Sequence, residues 1–220
     1  MFVGHYGVSF AVKSVDRKIP LWLLFLAVQF VDLLWGIFVL VGIEKVRIFP
    51  GITASSPLDL YYMPYTHSLI GAIGWSVLAA AAYKISSRAG VSRKAAIYLG
   101  LAVFSHWVLD FVVHRPDLSL YDDTLKVGLG LWNFRYLAFG LEAVVLFGGI
   151  FLFLRNNAGI SRRGRYGVII FALAMILMQG MITFVGRPAD SDKAVAISAL
   201  ASYVAFAGIA FLFDKKKRTI

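Results

Sequence analysis

Six nearly uncharged apolar stretches, each about the length needed to cross a bilayer, leave few folds open to this chain. They cover residues 20–43, 67–83, 94–114, 134–154, 166–185 and 194–213. A helix needs about 20 mostly apolar residues to pass the hydrocarbon core. A soluble helical domain would carry polar faces on its outer helices, and only 15% of this chain is charged. The expected fold is therefore all-α: a polytopic transmembrane helix bundle in one integral membrane domain, residues 1–220. Residues 1–115 hold most of the unusual polar groups, and residues 116–220 supply three further spans.

The charged residues between the spans set an orientation. The N-terminal stretch, loops 84–94 and 155–165 and tail 215–218 alternate onto one side and carry 15 of the 22 Lys and Arg. The other side carries seven basic residues (Lys45, Arg47, Arg115, Lys126, Arg135, Arg187, Lys193) against seven acids. The positive-inside rule puts the basic side, with the C-terminus, in the cytoplasm. The net charge of +10 then reflects topology, and no nucleic-acid partner is expected. The first residues lack the pattern of a cleavable leader. Residues 1–12 are apolar and end at Lys13, Arg17 and Lys18, which read as an inner-surface anchor. Twelve helical residues rise about 18 Å, so this segment reads as a partly inserted helix, or else as an interfacial one.

Against that background the ionisable residues inside the spans stand out, because each costs several kcal/mol unless paired, ligated or solvated. Asp32, His106, Asp110 and Glu142 lie within spans, His67 and His114 at outer ends, and His5 in the N-terminal segment. These include all four histidines. His106, Asp110 and His114 recur at i, i+4 and i+8, one stripe drifting by about 80°. Counted from the inner ends, Asp32, His106 and His5 reach similar depths, with Asp110, His114 and His67 further out. Imidazole and carboxylate together suit Zn²⁺, with Mn²⁺ or Fe²⁺ as alternatives. The absence of cysteine removes thiolate sites and thiol catalysis. Arg115 and Arg187, both followed by proline, read as phosphate-binding groups or as helix-end anchors. The aromatic segments 53–65 and 127–135 read as an interfacial belt or as a lid.

Gly4-His5, Asp32, Thr66-His67-Ser68-Leu69 and Ser105-His106 followed by Asp110 resemble the predicted membrane-bound metal-dependent hydrolases, a family sometimes called YdjM-like. That family is distantly similar to the zinc-dependent phospholipase C and single-strand nuclease superfamily. The resemblance covers roughly the first 115 residues. It implies that Asp32, His67, His106 and Asp110 hold one ion. Asp110 would bridge to a second ion held by His5 and the terminal amine, and His114 would belong to a third, giving one to three ions. Where the family shows a Pro-Asp-x-Asp signature, the chain has Val31-Asp32-Leu33-Leu34. The superfamily's later His-x-x-x-Glu pair stands here as Ala138 before Glu142, which becomes a weak ligand or a partner for a histidine N–H.

The expected activity is hydrolysis of a phosphoester, carried by a lipid or lipid-linked phosphate, by water activated on the metal. Asp110 would orient the ions, and His114 or Arg115 would stabilise the leaving group. The resemblance implies a bacterial or archaeal cytoplasmic membrane, with the site opening to the external side. Two other readings use the same residues: a metal-ion or proton transporter or channel, and a structural membrane protein stapled by its metal. A bis-histidine haem site would leave Asp110 without a role.

Overall fold

The computed structural model describes residues 1–86, 91–157 and 159–215. Arg88 and residues 216–218 of the expected basic face lie outside the described residues. About 67% of the chain is helical. Among the described residues, five helices are long and apolar enough to cross a membrane, and a bent pair makes a sixth candidate.

The chain enters through α1 (His5–Val15), α2 (Leu21–Val28) and α3 (Phe30–Leu40). The expected single span 20–43 is thus two helices, bent by 54° at Gln29. No proline or glycine sits there. Gln29 is buried, and its side-chain amide donates to the Phe2 carbonyl, the kind of side-chain competition that kinks a helix. After α3 comes a short antiparallel hairpin, β1 (Lys45–Ile48) with β2 (Leu58–Tyr62). The helices α4 (Leu69–Ser86) and α5 (Arg93–Val113) follow. Ser92 caps α5 by accepting from the Ala95 amide, satisfying one of the orphan donors of a helix start. A second small hairpin, β3 (Leu118–Ser119) with β4 (Lys126–Val127), and a 3₁₀ turn at Leu131–Asn133 lead into α6 (Arg135–Asn156). α7 (Arg162–Gly180) ends in a π-helical turn, Met181–Val185, and α8 (Asp192–Lys215) completes the described chain. The small hairpins are additions to the all-α expectation.

α1 is the centre of the bundle. Tyr6 and Phe10 are fully buried, and their rings meet Phe25 of α2 at 4.5 and 5.5 Å. Phe10 also meets Phe153 of α6 at 5.5 Å. The interfacial-helix reading of this segment is therefore overturned by its packing. α1 lies directly on α6 because Gly7 and Gly149 face one another. A Cβ on Gly7 would come within 2.0 Å of the Val145 carbonyl oxygen, and one on Gly149 within 1.9 Å of the Gly7 oxygen. Small residues are what permit such backbone approach. Lys13 also corrects its expected role as a surface anchor. It is buried, and its ammonium donates to the Ile19 and Arg17 carbonyls beside Asp214, closing the α1–α2 turn.

The outside of the bundle is apolar. α4 buries only Ala72 and Ser76, and Ile70, Ile73, Val77 and Leu78 stay exposed. Polar groups are gathered inside, at the starts of α1 and α3 and toward the end of α5.

Candidate metal centre

Asp110, on the buried face of α5, is the hub. Its Oδ1 lies 2.6 Å from the Met1 amino group and 3.2 Å from His5 Nε2. Its Oδ2 lies 3.0 Å from His106 Nε2, 3.7 Å from His114 Nε2 and 3.8 Å from His67 Nε2. Asp32 Oδ1 faces the same nitrogens, 3.2 Å from His67 and 3.4 Å from His106. Two nitrogens and two carboxylates therefore alternate around a ring with edges of 3.0 to 3.8 Å. Tetrahedral Zn²⁺ with bonds near 2.0–2.1 Å separates neighbouring ligand atoms by about 3.3–3.4 Å. The ring has the dimensions of a ligand shell.

The outward side of each ring explains the inward one. His106 Nδ1 donates to the Val28 carbonyl at 2.7 Å, at the break between α2 and α3. His67 Nδ1 pairs with Thr66 Oγ1 at 2.8 Å, and Thr66 spends its own proton on Glu44 Oε2 at 2.6 Å. His114 Nδ1 pairs with Asp117 Oδ1 at 2.9 Å. Each Nδ1–H is thereby directed away from the centre, which leaves the Nε2 lone pairs pointing at carboxylate oxygens. Lone pairs converging on carboxylates in a buried space repel unless a cation or shared protons lie between them. Metal-binding histidines characteristically show this anchored second nitrogen. His5 stacks on His106 at 4.0 Å, is fully buried, and makes no hydrogen bond of normal geometry from either nitrogen. His106 Nε2 is likewise without a hydrogen-bond partner.

Two compact groups result, with ligand atoms within 4.8 Å of one another: His5, His106 and Asp110, and Asp32, His67 and His106. Either could hold a metal ion. His106 Nε2 belongs to both and can serve one ion at a time, whereas Asp110 offers a separate oxygen to each side. His114 belongs to neither group. It left the helix before the expected stripe was complete, being the extended C-cap of α5, and Trp132 covers its ring at 4.1 Å. His67 sits in the bend just before α4. Ser68 Oγ accepts from Gly71 N at the start of α4.

Several supporting residues had no signal in the spacing of the histidines. Tyr203, from α8, donates to Asp32 Oδ2 at 2.7 Å and leaves Oδ1 toward the histidines. Glu44 accepts from the Tyr65 and Thr66 amides as well as the Thr66 hydroxyl. Burial pushes its carboxyl above the usual range, opposed by those hydrogen bonds. Glu142 touches no histidine N–H. It accepts from Phe2 N at 2.9 Å and Gly4 N at 2.6 Å, pinning the segment that carries His5. Gly4 permits this, since a Cβ there would press on Met1 and Glu142. Arg115 pairs with Asp59 and with Asp117, so its guanidinium is engaged beside His114.

A cavity of about 480 Å³ lies against this cluster, with Asp32, His67, Asp110 and His114 in its wall. Residues 53–58 of the first aromatic segment and Trp132 and Arg135 of the second contribute to its wall. No family model, curated protein or solved structure matches the chain, and its functional reading rests on this geometry.

Proposed function

We propose that this chain is an integral membrane protein that hydrolyses a phosphoester carried by a membrane lipid, using divalent metal, most simply Zn²⁺, held by His5, Asp32, His67, His106 and Asp110. The observation that carries the metal assignment is that His67 and His106, their Nδ1 atoms anchored outward, both turn Nε2 onto Asp32 and Asp110. The five to six apolar helices support the membrane, and the charge asymmetry supports a cytoplasmic C-terminus. The motif resemblance to membrane-bound metal-dependent hydrolases points the same way.

Bound metal would supply Lewis acidity at a phosphoryl oxygen and a water acidified to near pH 7. The chain's residues do the rest. Asp110 holds the two sides of the centre together through its separate oxygens, and Tyr203 fixes which oxygen Asp32 offers. Water oxygen joins phosphorus as the ester P–O bond breaks, and the departing alkoxide needs a proton. His114 is placed to take the proton that the attacking water loses onto its inward Nε2 and pass it to the alkoxide, since it lines the cavity and has only one carboxylate contact on that nitrogen, at 3.7 Å. Asp117 orients it, and Arg115 acts on it through Asp117.

Transport is the competing use of such a column. A permeation path would need polar groups to continue inward, yet beneath the ligands lie Tyr6, Phe10, Phe25 and Leu24, all essentially inaccessible. The test is phosphate release from dihexanoyl phosphatidic acid by detergent-purified protein loaded with Zn²⁺ or Mn²⁺. Release that stops with chelator and in Asp110→Asn is expected. Metal-loaded protein that releases no phosphate but carries metal into vesicles would overturn the hydrolase reading in favour of transport.

A further inference from the structure

The cavity holds more than the metal cluster. Two arginines also line it, Arg135 at the start of α6 and Arg187 just after the π-helical turn of α7. Elsewhere on this end of the molecule the arginines are neutralised: Arg47 by Asp59, and Arg115 by Asp59 and Asp117. Arg135 and Arg187 have no carboxylate partner among the described residues. Arg135 spends its Nε on the Ala54 carbonyl at 2.6 Å, which positions the guanidinium and leaves its terminal nitrogens available. The same wall carries two buried polar atoms without a hydrogen-bond partner, Gln179 Oε1 and Ser55 Oγ. Buried polar groups are normally satisfied, so this wall is built to meet a polar ligand.

The cavity also has an apolar side, built by α7 and α8. α7 and α8 meet through Phe171, at the middle of α7, whose ring lies 5.6 Å from Phe206 and 5.9 Å from Phe213. Beyond that contact both contribute to the cavity wall, Ile182 and Gly186 from the end of α7 and Val195 and Ala199 from the start of α8. The π-helical turn Met181–Val185 widens α7 at this level, a distortion found often at functional sites.

We infer that Arg135 and Arg187 clamp the phosphate of an alkyl phosphate ester against the metal centre, and that the alkyl chain leaves between the outer ends of α7 and α8. This inference rests on the phosphoester reading above and specifies which ester: an anionic phosphate at the end of a hydrocarbon chain. Guanidinium is the side chain suited to a phosphate, gripping two oxygens at once. The Ser55 hydroxyl can donate to a phosphate oxygen. Gln179 Oε1 can accept only from a donor, which an ester bearing a hydroxyl near its phosphate would supply.

Binding, not turnover, tests this. Trp35 and Trp132 line the cavity, so their fluorescence reports occupancy in detergent-purified, metal-loaded protein. The probes are hexadecylphosphonate, which resists hydrolysis, methylphosphonate, which lacks the chain, and hexadecanol, which lacks the anion. Hexadecylphosphonate should bind best. Arg135→Gln and Arg187→Gln should each weaken it roughly tenfold or more, with metal content by mass spectrometry unchanged. Ala199→Phe should weaken hexadecylphosphonate and spare methylphosphonate. Unchanged affinity in the double arginine variant, metal still bound, would overturn the clamp while leaving the metal centre intact. Equal binding of methylphosphonate and hexadecylphosphonate would overturn the chain route and indicate a free phosphate compound. Loss of metal from wild type under the same conditions would instead overturn the hydrolase reading on which the clamp rests.

Discussion

The two halves of this chain divide the work unequally. Residues 1–115 supply every side chain of the two compact ligand groups, from α1, α3, the turn before α4, and α5. Residues 116–220 supply none of them, yet hold those ligands in place: Glu142 pins the segment bearing His5, Tyr203 holds Asp32, and Asp117 orients His114. They also contribute the arginines and much of the cavity wall. The ligand half is polar at its centre and defined by short spacings. The wall half is apolar and acts through contacts 140 or 171 residues apart in sequence, as for Phe2 with Glu142 and Tyr203 with Asp32. A buried site can thus be recognisable in one half of a chain while its rigidity comes from the other.

The comparison can be broken by substitutions on either side. The largest effect is expected from Asp110→Ala, which removes the oxygens facing all four histidines. Metal affinity by isothermal titration should fall well beyond the roughly 100-fold seen for outer-shell changes. Gly7→Leu attacks the seam between the halves. Its side chain would start within 2.0 Å of the α6 backbone, and overpacking of this kind costs about 3 kcal/mol or more. Thermal unfolding should shift down markedly and metal should be lost with it. A Gly7→Leu protein of wild-type stability would show that the halves are not locked through α1 and α6.

Smaller effects sharpen the division. Asp117→Asn takes the charge from the anchor of His114 and Thr66→Val removes the anchor of His67, and Thr66→Val should cost about 10–100-fold in metal affinity. Asp117→Asn should leave affinity closer to wild type, because His114 is outside both compact groups, and should slow phosphate release instead. Tyr203→Phe deletes one hydroxyl from the wall half. Loss of its hydrogen bond to Asp32 should cost about 1–2 kcal/mol in stability and weaken metal binding less than Thr66→Val does. Least of all, Val77→Ala on the exposed face of α4 should change unfolding in detergent by no more than about 0.5 kcal/mol.

What could be seen in the sequence follows the same division. The apolar segments were legible because crossing length and composition are local properties, and five of them became helices within a few residues of the expected ends. The break at Gln29 was not, since a single amide in an apolar run gives no breaker signal. Its partner, the Phe2 carbonyl, comes from another element. His5, Asp32, His67, His106 and Asp110 were legible because buried charge is costly in an apolar segment. The depth count put Asp32, His106 and His5 at one level with Asp110 and His67 further out, and the structure draws the five into contact around Asp110 and Asp32. Their supports were not legible. Glu44 looks like an ordinary loop acid, Tyr203 like an aromatic in an apolar helix, and Gly7 and Gly149 like two of 20 glycines. Only the packing of α1 and α8 gives those residues meaning. Asp117 is the exception, because its position three residues after His114 was available to be read.

The central claim is that the inward-facing histidines and aspartates hold metal. It is tested most directly by metal content per chain, measured by mass spectrometry on detergent-purified protein alongside Asp110→Ala and His106→Ala. The account predicts near-stoichiometric Zn²⁺, Mn²⁺ or Fe²⁺ in the wild type and its loss in both variants. A wild-type protein that stays metal-free after incubation with all three would contradict it, and the cluster would then be a network of protonated histidines paired with aspartates.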